Sequence, residues 1–444
     1  MRTFWARFRE IIGGYSHGGR VVRILLSFWD GGEGHLARVA YLTSLLEDRG
    51  HRCMIIASSS KAERARQLAP TAQIRTVENR PARPQPVRPV PPVYSHAFRH
   101  AQRRLALGFD DHEFIVANTQ RILEVIRAFR PHAIVNDYHD TIRIAAEAAH
   151  VPLISIAMAH GLCSGPTLGA WKQDELGERP LPECVGSFNH SRSLWGLRPY
   201  EDERETFEGE LNLVPSCPAL DPLRRRDTDV YVGPVMNPPS ERDRPPRRRP
   251  LVVSYLAEGN NRPPSPYPEA LAELVGTERT MDFAILGGAR YARCFTTGDS
   301  TGDSFLGMVP PQRYLELLGR ADLVITHGGT TLVHAVERSV PVLCLPWTSS
   351  EAAWGVQVER QGSGILFPAY RRPLEWRVDR TVHPSAPLAG HWSPQITAEG
   401  LRQSVRRILD EPSYRNAAAD LAQQLSAARA GVDLVDLVQS IAAR

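Results

Sequence analysis

Lysine is nearly absent from this chain. Lys61 and Lys172 are the two among 444 residues, and arginine carries the rest of the positive charge. With abundant alanine and proline, that bias marks a GC-rich bacterial genome rather than a chemistry. The net charge is only +4, which leaves no footprint of a nucleic-acid binder. The six cysteines (Cys53, Cys163, Cys184, Cys217, Cys294 and Cys344) contain no CxxC pair. Their scatter argues against a zinc site and a disulfide framework, and it suits a reducing cytoplasm. No apolar run approaches the ~20 residues that span a bilayer, so no stable membrane insertion is expected. No apolar stretch followed by a small-residue cleavage site marks a signal peptide. Residues 1–20, with Trp5, Phe8, Ile11 and Ile12 among arginines, read as a frayed extension or a short basic amphipathic helix. The G-x-S-x-G elbow of a serine hydrolase is missing. Gly32-Glu33-Gly34-His35 falls short of the G-x-G-x-x-G of a nicotinamide dehydrogenase.

What is present alternates strands with helices. Val21–Phe28 is an apolar run of the kind that fills a buried parallel strand, and it ends in the glycine-rich turn Asp30–Gly34. A helix with Leu36, Val39, Leu42 and Leu46 at helical spacing follows, stopping at Gly50, and Cys53–Ala57 is the next strand. Residues 79–104, rich in proline and arginine, read as a long exposed loop. A helix over 112–129, the strand Ala133–Asn136, a helix over 142–149, the strand Pro152–Ile156 and a last strand over 230–233 complete the first half. The second half runs through Leu251–Tyr255, Phe283–Leu286, Leu323–Thr326, a helix over 331–338, Val342–Leu345 and a helix over 351–361. Helices near 397–410, 413–430 and 433–442 close it. Two doubly wound α/β domains are expected: residues 21–236, a linker over 237–250, and residues 251–444, the last helix returning to the first domain.

One junction in the second half suits an anion. Asp322–Thr326 runs as a buried strand into His327-Gly328-Gly329-Thr330-Thr331 and then a helix. Two glycines let backbone approach a ligand, and the free N–H groups of the helix start face outward. The partial positive charge there favours a phosphate by about 0.3–1 kcal/mol, or ~2 when partly buried. His327, Thr330 and Thr331 add side-chain donors.

Around this turn stand Val309-Pro310-Pro311-Gln312, His334-Ala335, Ser339-Val340-Pro341 and Ser350-Glu351. The stretch 307–367 resembles the donor-binding signature of the UDP-glycosyltransferase superfamily, in its bacterial macrolide and antibiotic branch. Gly34-His35 with Arg49-Gly50-His51 resembles the opening of the same family. That resemblance implies the GT-B fold, two Rossmann-like domains facing across a cleft, with the acceptor on the first and a nucleotide sugar on the second. It implies that His327 and the backbone of Gly328, Gly329, Thr330 and Thr331 hold a diphosphate, that Met308, Val309 and Pro310 border the base, and that Ser350 and Glu351 approach the sugar. His334 replaces the glutamate that binds ribose in the family, Ser350-Glu351 replaces an aspartate–glutamine pair, Trp354 replaces a smaller polar residue, and the loop before Pro341 is one residue shorter. Gly259 and Gly288, at the ends of the first two strands of the second domain, are expected to line the donor pocket.

Inverting transfer needs a base for the acceptor hydroxyl. His35, at the end of a strand–helix turn, has the pKa range for it. Asp137, at the end of its strand, matches the family's aspartate that fixes the histidine tautomer. Asp140 reads as the N-cap of the 141–149 helix. Gly34, His139 and His160 are expected beside the acceptor. Asp227-Thr228-Asp229 fits the letters of a metal-binding DxD but precedes the last strand of the first half, so no metal is expected. The resulting expectation is a cytoplasmic inverting hexosyltransferase, monomeric or homodimeric, using a UDP- or TDP-sugar and a small natural-product acceptor, with no other cofactor. A sugar-nucleotide 2-epimerase of the same fold and a non-catalytic homologue stand as alternatives.

Overall fold

The structure is a computed structural model and describes residues 21–81, 104, 108–109, 111–165, 185–224, 226–238, 247–256, 267–295, 304–346, 349–367, 377–378, 390–391 and 396–443. The 1–20 extension, Gly259, residues 82–103 and the 239–246 part of the linker lie outside the described residues.

The first half builds a seven-stranded parallel sheet from β1 (Arg23–Phe28), β2 (Arg52–Ala57), β3 (Gln73–Thr76), β4 (Ala133–Asp137), β5 (Leu153–Ile156), β6 (Leu211–Val214) and β7 (Asp229–Tyr231). Its order is β3-β2-β1-β4-β5-β6-β7. Continuous apolar runs are needed here because both faces are covered. Ile24, Leu26 and Phe28 of β1 enter one apolar cluster, while Leu25 between them enters the cluster on the opposite face. Fully burying each such side chain contributes about 1.5–3 kcal/mol. Helix α1 (Glu33–Asp48) follows β1 and ends where Gly50, at φ +80°, donates to the Glu47 carbonyl at 2.8 Å. Helix α2 (Ser59–Leu68), α3 (His112–Phe129), α4 (Ile142–Ala148) and α5 (Val185–Leu194) complete this half.

The second half carries β8 (Leu251–Tyr255), β9 (Asp282–Leu286), β10 (Leu323–Thr326), β11 (Val342–Cys344) and β12 (Gly364–Leu366), in the parallel order β12-β11-β10-β8-β9. A parallel bridge from Ile285 to Phe305 extends the β9 edge by one position. Its helices are α6 (Tyr267–Thr277), α7 (Ala289–Phe295), α8 (Pro311–Arg320), α9 (Gly329–Glu337), α10 (Ser349–Arg360), α11 (Ala398–Asp410), α12 (Pro412–Ala430) and α13 (Leu434–Ala442). No described helix is long and apolar enough to cross a membrane.

The sequence expectation names neither the short strands β3, β6 and β12 nor helices α2 and α5–α8, and it places the last strand of the first half differently. β3 is an edge strand with exposed, polar residues, so it carries no apolar run to read. β6 is four residues set between loops. The last strand covers Asp229–Tyr231 rather than 230–233, because Gly233 turns at φ +63° where the chain crosses α12; a Cβ there would lie 2.6 Å from the Leu425 carbonyl oxygen.

Helix α13 leaves the second half. Val435, Leu437, Val438 and Ile441 enter the same cluster as Ile24, Leu36 and Leu42, and Arg49 pairs with Asp433 at 2.7 Å. Leu437→Ala should therefore cost about 2–5 kcal/mol, read as a lowered urea midpoint of the first domain. An unchanged midpoint would mean that α13 is not part of that core.

Candidate active site

In doubly wound sheets ligands bind outside the carboxyl ends of the strands, where the strand order reverses. The first sheet reverses between β1 and β4, which pair Phe28 with Asp137. The second reverses between β8 and β10, which pair Tyr255 with Thr326. The turn after β1 delivers His35, the end of β4 delivers Asp137, and the turn after β10 delivers His327–Thr331.

His35 Nδ1 lies 2.7 Å from Asp137 Oδ1. Asp137 is fully buried, and burial opposes its ionisation, yet the Arg38 guanidinium and the His35 ring hold its carboxyl below the usual carboxylate range. An ionised oxygen only accepts, so Nδ1–H donates, and in the neutral ring Nε2 keeps its lone pair. Trp29 and Tyr138 stand edge-on to the His35 ring at centroid distances of 5.4 and 5.6 Å. Tyr138 itself sits at φ +63°, a conformation that non-glycine residues adopt at a cost, and its hydroxyl accepts the Met158 N–H at 2.9 Å.

The residue that sequence reasoning missed is Arg38. It is 4 % exposed, and its Nε and Nη2 donate to the two Asp137 oxygens at 2.7 and 3.0 Å. Its Nη1 donates to Thr330 Oγ1 at 3.1 Å, and Nη2 stands 2.9 Å from His35 Nδ1. The available signal was its place three residues after His35, one helical turn along the same face, among the buried positions of α1.

Gly34 packs against the 327–331 turn: a Cβ there would lie 2.6 Å from Thr330 Oγ1. The turn itself has Gly328 at φ +123° and Gly329 at φ +61°, and α9 starts at Gly329 with its first N–H groups free of helical partners. A Cβ on Gly328 would come within 3.1 Å of Glu351, which places Glu351 over the turn. His327 is buried, with Nδ1 2.7 Å from the Leu345 carbonyl. A carbonyl only accepts, so that nitrogen carries the proton, and Nε2 donates to an anion only when the ring is doubly protonated.

Thr331 is buried, its hydroxyl accepting from Tyr314 at 3.0 Å. His334 is half-buried, 3.1 Å from the Tyr314 hydroxyl, and burial together with the nearby Arg338, Arg38 and Arg429 cations pushes it down to about 3. It is a neutral ring. Val309 packs half-buried on the second core, Pro310 is exposed at the start of α8, and Gly288 follows β9. Ser350 lies in the first turn of α10, its side chain outside the described residues.

On the acceptor side, His139 is 1 % exposed, its ring 3.5 Å from Thr141 Oγ1, and burial lowers it to about 4. It forms part of the β4–α4 interior, and the expectation that it borders an acceptor is corrected. His160 sits in the 3₁₀ turn Ala159–Gly161 packed on Tyr138. Asp140 is not an N-cap either: it accepts from Arg104 Nε at 2.6 Å, and Thr141 takes the cap position. In the DxD triplet, Asp229 accepts from Asn212 at 2.7 Å and Ser164 at 2.6 Å inside the first half.

No protein-family model matches the chain. It is 25% identical over 289 residues to the 3-alpha-mycarosylerythronolide B desosaminyl transferase of Saccharopolyspora erythraea, a match covering 61% of this chain and 58% of that relative. Among solved structures, the calicheamicin glycosyltransferase CalG4 superposes with a TM-score of 0.67 at 17% identity, over 96% of this chain and 99% of that one. The glycosyltransferase VinC, solved in complex with dTDP, superposes with a TM-score of 0.62 at 18% identity, over 95% of this chain and 100% of that one.

The fold is GT-B.

In sequence and fold alike, this GT-B chain resembles the macrolide and antibiotic branch of the UDP-glycosyltransferase superfamily. At the edge of its site, Asp221 Oδ2 accepts the Ala159 N–H at 2.9 Å, and burial pushes this acid up to about 7. A folded-state value above the unfolded one, about 3.9, favours the fold at low pH and is lost as pH climbs. The stability of Asp221→Asn relative to wild type should therefore rise from about pH 4 to about pH 7 and then level off. Chemical unfolding at a series of pH values checks this, and a flat difference would remove Asp221 from the pH dependence.

Proposed function

We propose that this chain is an inverting, metal-independent glycosyltransferase that moves a hexose from a UDP- or TDP-sugar to a hydroxyl of a small natural-product acceptor. The observation that carries the reading is that the His35–Asp137 pair, at the reversal point of one sheet, is brought beside Thr330, at the reversal point of the other, by the packing of Gly34 on Thr330. The chain spans 58% of the length of its desosaminyl transferase relative, whose donor and acceptor remain that protein's own. A dTDP complex of a protein with the same fold supports the donor class.

The chemistry follows from the proton positions. Asp137 keeps the proton on His35 Nδ1, so Nε2 takes the proton of the acceptor hydroxyl as its oxygen attacks the anomeric carbon. The bond to the donor diphosphate breaks on the opposite face, and the configuration inverts. Asp137 then stabilises the imidazolium that has formed. The developing charge on the diphosphate is met by the Gly329, Thr330 and Thr331 N–H groups and by His327 in its doubly protonated form. Glu351, over the turn, is suited to the sugar hydroxyls, with Met308, Val309 and Pro310 along the base. Gly288 lies behind the donor, and His160, in the 3₁₀ turn whose Gly161 packs on Tyr138, faces the acceptor.

His35→Ala should lower turnover by about 10²–10⁴-fold while a nucleoside diphosphate still binds. Unchanged turnover would take His35 out of the mechanism. Gly329→Val forces a β-branched residue to a positive φ in the phosphate turn, so calorimetry should show UDP and dTDP binding weakened by at least about an order of magnitude. Undiminished affinity would refute the turn. A thermal-shift screen against nucleoside diphosphates and their sugars identifies the donor, and stabilisation by none of them would sink the reading.

A further inference from the structure

We propose that Arg38 is a positioning residue that registers the base against the donor, holding Asp137 with one edge of its guanidinium and Thr330 with the other. This rests on the donor reading above and adds a residue that the reading does not use. Three observations carry it. The side chain is 4 % exposed, so it is not a solvated charge that happens to lie near the cleft. Its Nε and Nη2 take both oxygens of Asp137 at 2.7 and 3.0 Å, a two-point geometry that fixes the plane of the carboxylate and so the direction in which Oδ1 presents itself to His35. Its Nη1 then reaches Thr330 Oγ1 at 3.1 Å, a residue 292 positions later in the chain, in the first turn of the helix whose N–H groups are proposed to hold the diphosphate.

The approach is made possible by Gly34, one helical turn before Arg38, where any Cβ would meet Thr330 Oγ1. A planar fork with donors on separate edges spans these two partners at once. A lysine at the same place keeps the charge and satisfies Asp137, but its single nitrogen cannot also hold Thr330 in register. If Arg38 merely neutralised a buried acid, its replacement by lysine would be indifferent to the side chain at position 330. If it acts as the register, the two positions are coupled.

A double-mutant cycle of Arg38→Lys and Thr330→Val, read by calorimetric affinity for dTDP and for UDP, separates these cases. Arg38→Lys should weaken binding of the nucleotide that the wild type prefers by about tenfold, and should change it by no more than about twofold once Thr330 is valine. Equal losses in both backgrounds, or no loss in either, overturn the proposal while leaving the donor reading intact. A wild-type chain that binds neither nucleotide overturns both. Should Arg38→Lys fail to fold, Arg38→Gln combined with Asp137→Asn removes the buried charge together with its partner and takes the same place in the cycle.

Discussion

The carboxylate of Asp137 is the point on which the site turns. It is fully buried, at the end of the strand that neighbours β1, and it accepts from a histidine on one side and an arginine on the other. A buried charge persists only where paired donors replace the water it has lost. Here the pairing also does chemistry by dictating which nitrogen of His35 holds the proton. With Arg38 present, the buried Asp137 carboxylate is charge-paired as well as hydrogen-bonded.

Topology explains why these groups meet. Each half is a parallel sheet whose order reverses once, and at each reversal two loops leave adjacent strands in opposite directions and open a crevice. His35 and Asp137 belong to the two strands that flank the first crevice. The turn at 327–331 follows β10 at the second. The halves are held in this relation by more than the cleft itself. Arg429 of α12 donates to the Pro234 carbonyl at 2.9 Å and pairs with Glu337 of α9, so the chain leaving the first half is tied to the helix that follows the 327–331 turn.

Much of this was legible in the sequence. Buried parallel strands betray themselves as apolar runs, and Gly50, Gly328 and Gly329 mark turns that need positive φ. Most strands of the two sheets and the His35–Asp137 pair follow from such signals joined to a family likeness. What escaped was whatever depends on contacts between distant segments. Arg38 looks like one more arginine in an arginine-rich chain, and its role exists only because Asp137 and Thr330 converge on it. Gly34 reads as part of a glycine-rich turn, and its reason is a neighbour from the other half. Asp140 has the type and position of an N-cap, but Arg104, remote in sequence, claims it first. His139 sits at a strand end where sites form, yet its ring folds inward. β3 was hidden because an edge strand has little to bury.

Helix α13 closes the hydrophobic face of the first half, yet its residues are translated after the whole of the second. A nascent chain therefore carries a finished pattern of strands 23–231 with an uncovered apolar groove beside α1 for as long as it takes to synthesise some two hundred further residues. The first half therefore cannot complete its core before the end of the chain is made. Ribosomal timing is thus built into the architecture: the second half has its own core without α13, and the first completes its own only when the last helix has been made.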